Sequence, residues 1–283
     1  MALPASAPAS RPTMAPVGMG FGGVSSSVDS SPLGTTFMTR HYGDRRRYWG
    51  RVEVHVGSSP VTAVVLPLAR AGTLSGRVMT ERDPMRPGDA GPAFMAVTAE
   101  PADGRAALGM VQPTDRIDTR TGQFQIAELA GGRYILRGAA GAGWVVKAVT
   151  WRGADVTETG FDATTGGDFA GVVVTFTNRA PTLTGTVHTS RAETTADATV
   201  VAFPTDRTGW TDYGLTPSRI KSIVASNGGA FRFASLPAGE YYVVAVPGAD
   251  PTAWLAPDFF TAMASTATRV RLEWGEHQSK DLQ

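Results

Sequence analysis

From Tyr48 onward, apolar and polar residues alternate in short runs. "RVEVHV" sets Val52, Val54 and Val56 on one face, the period of a half-buried strand. "VTAVVLPLARAGTLSGRV" adds two further strand expectations, and a loop rich in Pro, Gly and charge runs from Val78 to Pro92. "FMAVTAEP", "QFQIAEL", "RYILRGA", "GWVVKAVTWRG" and "GVVVTFTNRAPTLTGTV" follow, each bounded by turn residues. That cadence predicts an all-β chain of antiparallel sandwiches. A single helix of about ten residues is expected at "PDFFTAMAST", with Asp258 as its N-cap. Residues 1–46 are rich in Ala, Pro, Ser and Gly, show no period and read as a low-complexity tail.

The chain also repeats itself. "TLSGRV" at Thr73 recurs as "TLTGTV" at Thr182, and "TGQFQIAELAGGRYIL" at Thr121 returns as "GGAFRFASLPAGEYYV" at Gly228. The offset is 109 residues for the threonines, and 107 for Phe124 to Phe231 and for Tyr134 to Tyr241. A solenoid unit is shorter, about 20–50 residues. An immunoglobulin-like sandwich takes roughly 100. Two sandwiches are therefore expected, over 73–180 and 181–283. Residues 47–72 match only the closing strands of another copy, with Arg70 over Arg179. Orphan strands would leave backbone edges unpaired. The expectation is either a truncated chain or pairing of this segment with a neighbouring domain or a second copy.

The hairpin form G-x-F-x-[IF]-x-x-L-x-x-G-x-Y, with Phe124, Leu129 and Tyr134 in one copy and Phe231, Leu236 and Tyr241 in the other, resembles the carboxypeptidase regulatory-like domain. So do the opening strands Leu74 to Val78 and Leu183 to Val187. The resemblance covers residues 73–283 well and 48–72 partly. It implies tandem transthyretin-like, immunoglobulin-like antiparallel sandwiches. It also implies a non-catalytic module in an extracellular or periplasmic setting. Catalytic residues of the carboxypeptidases lie in a separate zinc domain, and nothing in this chain matches that domain.

Composition agrees with a globular chain: 42% hydrophobic, 18% charged and a net charge of +1. Near-neutrality argues against a nucleic-acid partner. The single basic run, "DRRRYWGR", reads as solvated arginines ahead of a strand. The 33 glycines and 19 prolines favour turns over long helices. The lack of cysteine removes disulfides and thiol chemistry. No apolar run reaches the roughly 18 residues of a membrane span, and the N-terminal stretch shows no signal-peptide core.

No residue set points to catalysis, a metal or a cofactor. The histidines His41, His55, His188 and His277 lack metal-ligand spacing. Asp115 and Asp118 in "DRIDTRTG" read as turn-capping residues before calcium ligands. No G-x-S-x-G elbow is present. Trp144 and Trp151 are expected in the core, and Lys147 is expected to snorkel at a strand rim. The aromatic loops containing Trp210, Tyr213 and Trp254 are the candidate ligand or partner surface, with a core-covering role as the favoured alternative.

The preferred function is a non-catalytic structural or interaction module of a bacterial envelope or extracellular protein, self-associating through edge strands. The runner-up is a carbohydrate- or peptide-binding accessory module of a larger enzyme or outer-membrane system.

Overall fold

The computed structural model describes residues 25–31, 34–40 and 47–283, except 59, 86–87, 89–90, 106–113, 118–119, 142, 192, 196, 227, 249 and 257. For 25–31, 34–40, 47 and 114–116 the backbone alone is described. His41, Asp118 and residues 44–46 of the basic run lie outside the described residues.

The N-terminal sheet has strands β1 (Ser25–Ser31), β2 (Gly34–Arg40), β3 (Arg47–Val52) and β4 (Ala69–Arg70), paired in chain order. Residues 25–40, expected as tail, thus include a hairpin in which Val28 opposes Phe37. Its Ser- and Thr-rich composition masks strand propensity, because threonine suits a pleated backbone. β3 pairs with β2 of this hairpin and with β4, so the segment continues the N-terminal sheet. The strand expected through Val56 stops at Val52. The described residues of 53–68 form no strand, and Val56 is 84% exposed.

The first sandwich comprises β5 (Gly72–Glu81), β6 (Met95–Pro101), β7 (Thr114–Arg116), β8 (Gln123–Leu129) and β9 (Arg133–Ala140). It continues with β10 (Val145–Trp151), β11 (Ala154–Asp155), β12 (Phe161–Asp162) and β13 (Asp168–Thr177). One sheet runs β11-β10-β13-β5-β8 and the facing sheet β12-β9-β6-β7. Between them Leu74, Val97, Ile126, Leu129, Leu136, Val174 and Phe176 form a closed core.

The second sandwich comprises β14 (Thr182–Thr186), β15 (Ala198–Pro204), β16 (Lys221–Val224), β17 (Ala230–Phe233), β18 (Gly239–Pro247), β19 (Thr268–Leu272) and β20 (His277–Ser279). Its sheets run β17-β14-β20 and β16-β15-β18-β19. β12-β9-β6-β7 and β19-β18-β15-β16 therefore share one order, as do β13-β5-β8 and β20-β14-β17. In each sandwich one sheet carries a parallel closing pair, β13 on β5 and β20 on β14, while the facing sheet is antiparallel throughout.

The recurrent sequence motifs explain one another in this fold. In L-[ST]-G-x-V the glycine faces the closing strand. A Cβ on Gly76 would fall 2.0 Å from the Val172 carbonyl oxygen, and one on Gly185 2.0 Å from that of Lys280. The rings of Phe124 and Phe231 lie over these same glycines. Leu129 and Leu236 plug the cores at the hairpin ends. The turn glycines Gly132 and Gly239 take φ of 152° and 151°, open only to a residue without Cβ. The tyrosine then clamps the turn. Tyr241 Oη donates to the Pro237 carbonyl at 2.7 Å, and Tyr134 is hydrogen-bonded to the backbone of Ala130, also four residues back. This is the tyrosine-corner logic of sandwich folds.

The sandwiches differ between the strands that flank β9 and β18. The first has β10 and β11 there. The second has a 3-10 turn, Ala253–Leu255, and a short helix, α1 (Phe259–Met263). The expected ten-residue helix is thus half that length, and Asp258 makes no side-chain cap bond. Without that cap, the first amides of α1 rely on other acceptors.

Candidate functional site

The elements that bring chemistry-bearing side chains together lie at the junction of the two sandwiches. The chain crosses between them in four residues, 178–181. Both ends of this crossing are clamped. Arg179 donates to the Trp274 carbonyl at 3.1 Å, and Gly275 N–H donates to the Arg179 carbonyl at 2.6 Å. On the other side the Asn178 side-chain oxygen accepts from Asp83 N–H at 2.7 Å. Glu81 at the end of β5 receives Lys147 at 2.5 Å and stands 3.8 Å from Arg179. Lys147 is partly exposed, so it reaches the rim as a snorkelling lysine does.

A second clamp is buried. Glu100 on β6 is only 6% exposed, which a carboxylate tolerates only when fully bonded. Its partners come from the other sandwich, in the 205–220 loop. Leu215 and Thr216 N–H donate to Oε2 at 3.0 and 2.9 Å, and Thr216 Oγ1 donates to Oε1 at 2.5 Å. Arg137 on β9 stands 3.9 Å from Glu100, beyond hydrogen-bond range, and its Nε lacks a partner. Its other nitrogens donate to the Tyr213 carbonyl at 2.7 Å and to Ser218 Oγ at 3.5 Å. Glu158 faces Arg137 at 3.6 Å and accepts from Ser218 Oγ at 2.7 Å. Gly214 N–H donates to the Ala102 carbonyl, which completes the seam.

Beside this lock lies a cleft of about 330 Å³, walled by β9, β10 and residues 157–158 of one sandwich and by Thr216, Ser218, Lys221, Ser235 and Pro237 of the other. Lys221 opens β16, and its ammonium has no hydrogen bond or ion pair among the described residues. Burial, and then the neighbouring Arg137 guanidinium, hold its ammonium pKa below the ordinary lysine range.

The predicted aromatic residues come together on the outer face of β15 and β18. Trp210, Tyr213 and Trp254 are partly buried around Val201, Phe203, Phe259 and Phe260. Trp210 Nε1 donates to the Pro204 carbonyl at 2.8 Å, and its ring is 5.8 Å from both Phe203 and Phe260. Tyr213 meets Trp254 at 5.8 Å, and Trp254 stacks on Phe260 at 6.3 Å. The rings thus spend much of their surface on one another. They fill the space that the turn and α1 enclose over the sheet. That is why β15, "ATVVAFP", is buried on both faces. Trp144 is in the first core, and Trp151 packs against it edge-on to Phe161 and Phe169.

Sequence reasoning missed Glu100, Arg137, Thr216 and Lys221. The one available signal was an acidic residue at the end of the apolar run "FMAVTAE". No group of three or more His, Cys, Asp or Glu side chains that could hold a metal occurs among the described residues. No helix there is long and apolar enough to cross a membrane.

No family model matches the chain. No curated protein matches it either. Among solved structures it is similar to a streptococcal ancillary pilin, at 12% identity and TM-score 0.29 over 88% of this chain and 75% of that one. It is also similar to the Bacillus anthracis TIE protein, at 12% identity and TM-score 0.24. That match covers 88% of this chain and 45% of the other, so this chain spans less than half of that relative. The pilus backbone RrgB from Streptococcus pneumoniae follows at 10% identity and TM-score 0.23, over 87% of this chain and 70% of that one. At these scores the likeness carries no functional argument.

Proposed function

We propose that the chain is a non-catalytic structural and interaction module of a bacterial cell-envelope or extracellular assembly, built from carboxypeptidase regulatory-like sandwiches. The observation that supports this most is the doubly clamped junction. A buried carboxylate satisfied entirely by the neighbouring sandwich, with a four-residue crossing bonded at both ends, fixes the angle between successive units. A protein that serves by holding partners at a set spacing needs that stiffness. The test is amide relaxation on the full chain. One shared rotational correlation time for both sandwiches is expected, and independent tumbling would sink the reading.

Self-association through strand addition belongs to the same proposal. The described residues of 53–68 are outside any sheet yet include exposed Val56, Val61, Val64, Val65 and Leu68. Backbone outside a sheet that carries exposed apolar side chains offers an incoming strand something to pair with. Sedimentation velocity should show concentration-dependent association, abolished by replacing Val61, Val64 and Val65 with Thr. A monomer at all concentrations would remove this part and leave the first intact.

A further inference from the structure

We propose that the interdomain cleft is a binding site for a small organic carboxylate, with the carboxylate on Lys221 and its apolar body against Val146 and Pro237. The charges around the cleft are nearly, but not fully, spent. Glu100 and Glu158 face Arg137, and Glu81 holds Lys147 with Arg179 beside it. Of the cations that line the cleft, Arg137, Lys147 and Lys221, only Lys221 has no ion pair among the described residues. It is partly buried and next to Arg137, so its ammonium loses water on folding and gains nothing in exchange. An anion would return that lost solvation, since a charge-assisted bond in a partly desolvated cleft is stronger than in water. Ser235, also at the cleft wall, makes no hydrogen bond among the described residues and can donate to the second oxygen.

The size and lining select the ligand class. A cleft of about 330 Å³ suits one small molecule. Its walls mix the cation with aliphatic and proline surface, which favours a carboxylate carried on an apolar body over a fully hydrated inorganic ion. Glu158 lines the cleft too, but its oxygens are occupied by Arg137 and Ser218, so it repels less than a free carboxylate would. Both sandwiches contribute walls, so the site exists only while the junction is closed.

The experiment is an NMR titration of the full chain with benzoate at constant ionic strength, with benzamide and inorganic phosphate as parallel probes. Saturable shifts confined to the amides of Ala139, Val146, Ser218 and Lys221 are expected with benzoate. Lys221→Met should weaken binding roughly 10- to 100-fold, and Lys221→Arg should keep it within about threefold. An unchanged melting temperature in Lys221→Met separates loss of the ligand contact from loss of the junction. An equal response to benzamide, phosphate binding as tight as benzoate, unsaturable shifts, or undiminished binding in Lys221→Met would each overturn the proposal.

Discussion

The ring of Trp49 fills the space where a side chain on Gly131 would begin: a Cβ there would fall 1.8 Å from the ring atoms Cη2 and Cζ2. This contact seats the N-terminal sheet on the turn of the first sandwich. The equivalent turn position in the second sandwich is Ala238, which has no tryptophan to admit. Gly131→Ala should therefore expel Trp49 at a cost of about 1–3 kcal/mol, the usual price of overpacking. Tryptophan emission should shift to the red and residues before 72 should become protease-sensitive. Unfolding of the two sandwiches should hardly change.

Gly76→Ala and Gly185→Ala test the closing strands. Each new methyl would meet a backbone carbonyl oxygen at 2.0 Å, and backbone cannot rotate aside as a flexible side chain can. We expect each to destabilise its own sandwich by about 3 kcal/mol or more. Gly57→Ala, where nothing lies within 4 Å, should be close to neutral. Denaturant midpoints at constant m-value would separate these outcomes.

Glu100→Ala removes the acceptor for three donors and leaves Arg137 short of one neighbouring charge. Breaking one partner of a buried ionic network costs about 3–5 kcal/mol. Because the lost bonds join the sandwiches, calorimetry should resolve two transitions in place of a coupled one. A single undivided transition at lower temperature would show that Glu100 supports only its own sheet.

Tyr241 gives a pH signature. Burial pushes its hydroxyl up to about 12, and the Arg219 guanidinium beside it only partly opposes this. Its folded pKa is above the unfolded value near 10. The stability it contributes is therefore whole below pH 10 and is lost as pH rises towards 12, in the order of 2–3 kcal/mol. Phenolate absorbance should appear together with loss of the second sandwich's near-ultraviolet dichroism. Tyr241→Phe should abolish that coincidence and cost about 1 kcal/mol at neutral pH.

Trp254→Ala distinguishes packing from recognition in the aromatic cluster. The ring stacks on Phe260 and meets Tyr213, so its removal should lower stability by about 3–5 kcal/mol. A glycan surface would instead lose sugar binding at unchanged melting temperature.

The architecture was legible because its motifs are local. The alternation of Phe124 and Ile126, the plug Leu129 and the turn at Gly132 sit within a few residues of one another. A period-two pattern with a turn signal is readable at that range. The clamp by Tyr134 and Tyr241 was hidden, since strand alternation already accounts for an aromatic at that place. The junction was hidden for a different reason. Glu100 and Thr216 are 116 residues apart, and only the docking of one sandwich on the other brings them together. Lys221 looks like any lysine opening a strand until Arg137 and the cleft are placed beside it. The hairpin at 25–40 was obscured by composition, because serine and threonine read equally as linker.

The parallel closing pairs have a mechanical consequence. The chain enters the first sandwich at Gly72 on β5 and leaves it at Thr177 on β13, with Thr73 beside Asp168 and Glu81 beside Thr177. The entry and exit points therefore lie at opposite ends of one hydrogen-bonded ladder. Tension along the chain loads that ladder in shear, straining its bonds together, where a hairpin pulled from its open end would unzip one bond at a time. β14 and β20 repeat the geometry, from Thr182 to Ser279. Each sandwich is thus a link whose two attachment points pull against its most resistant seam.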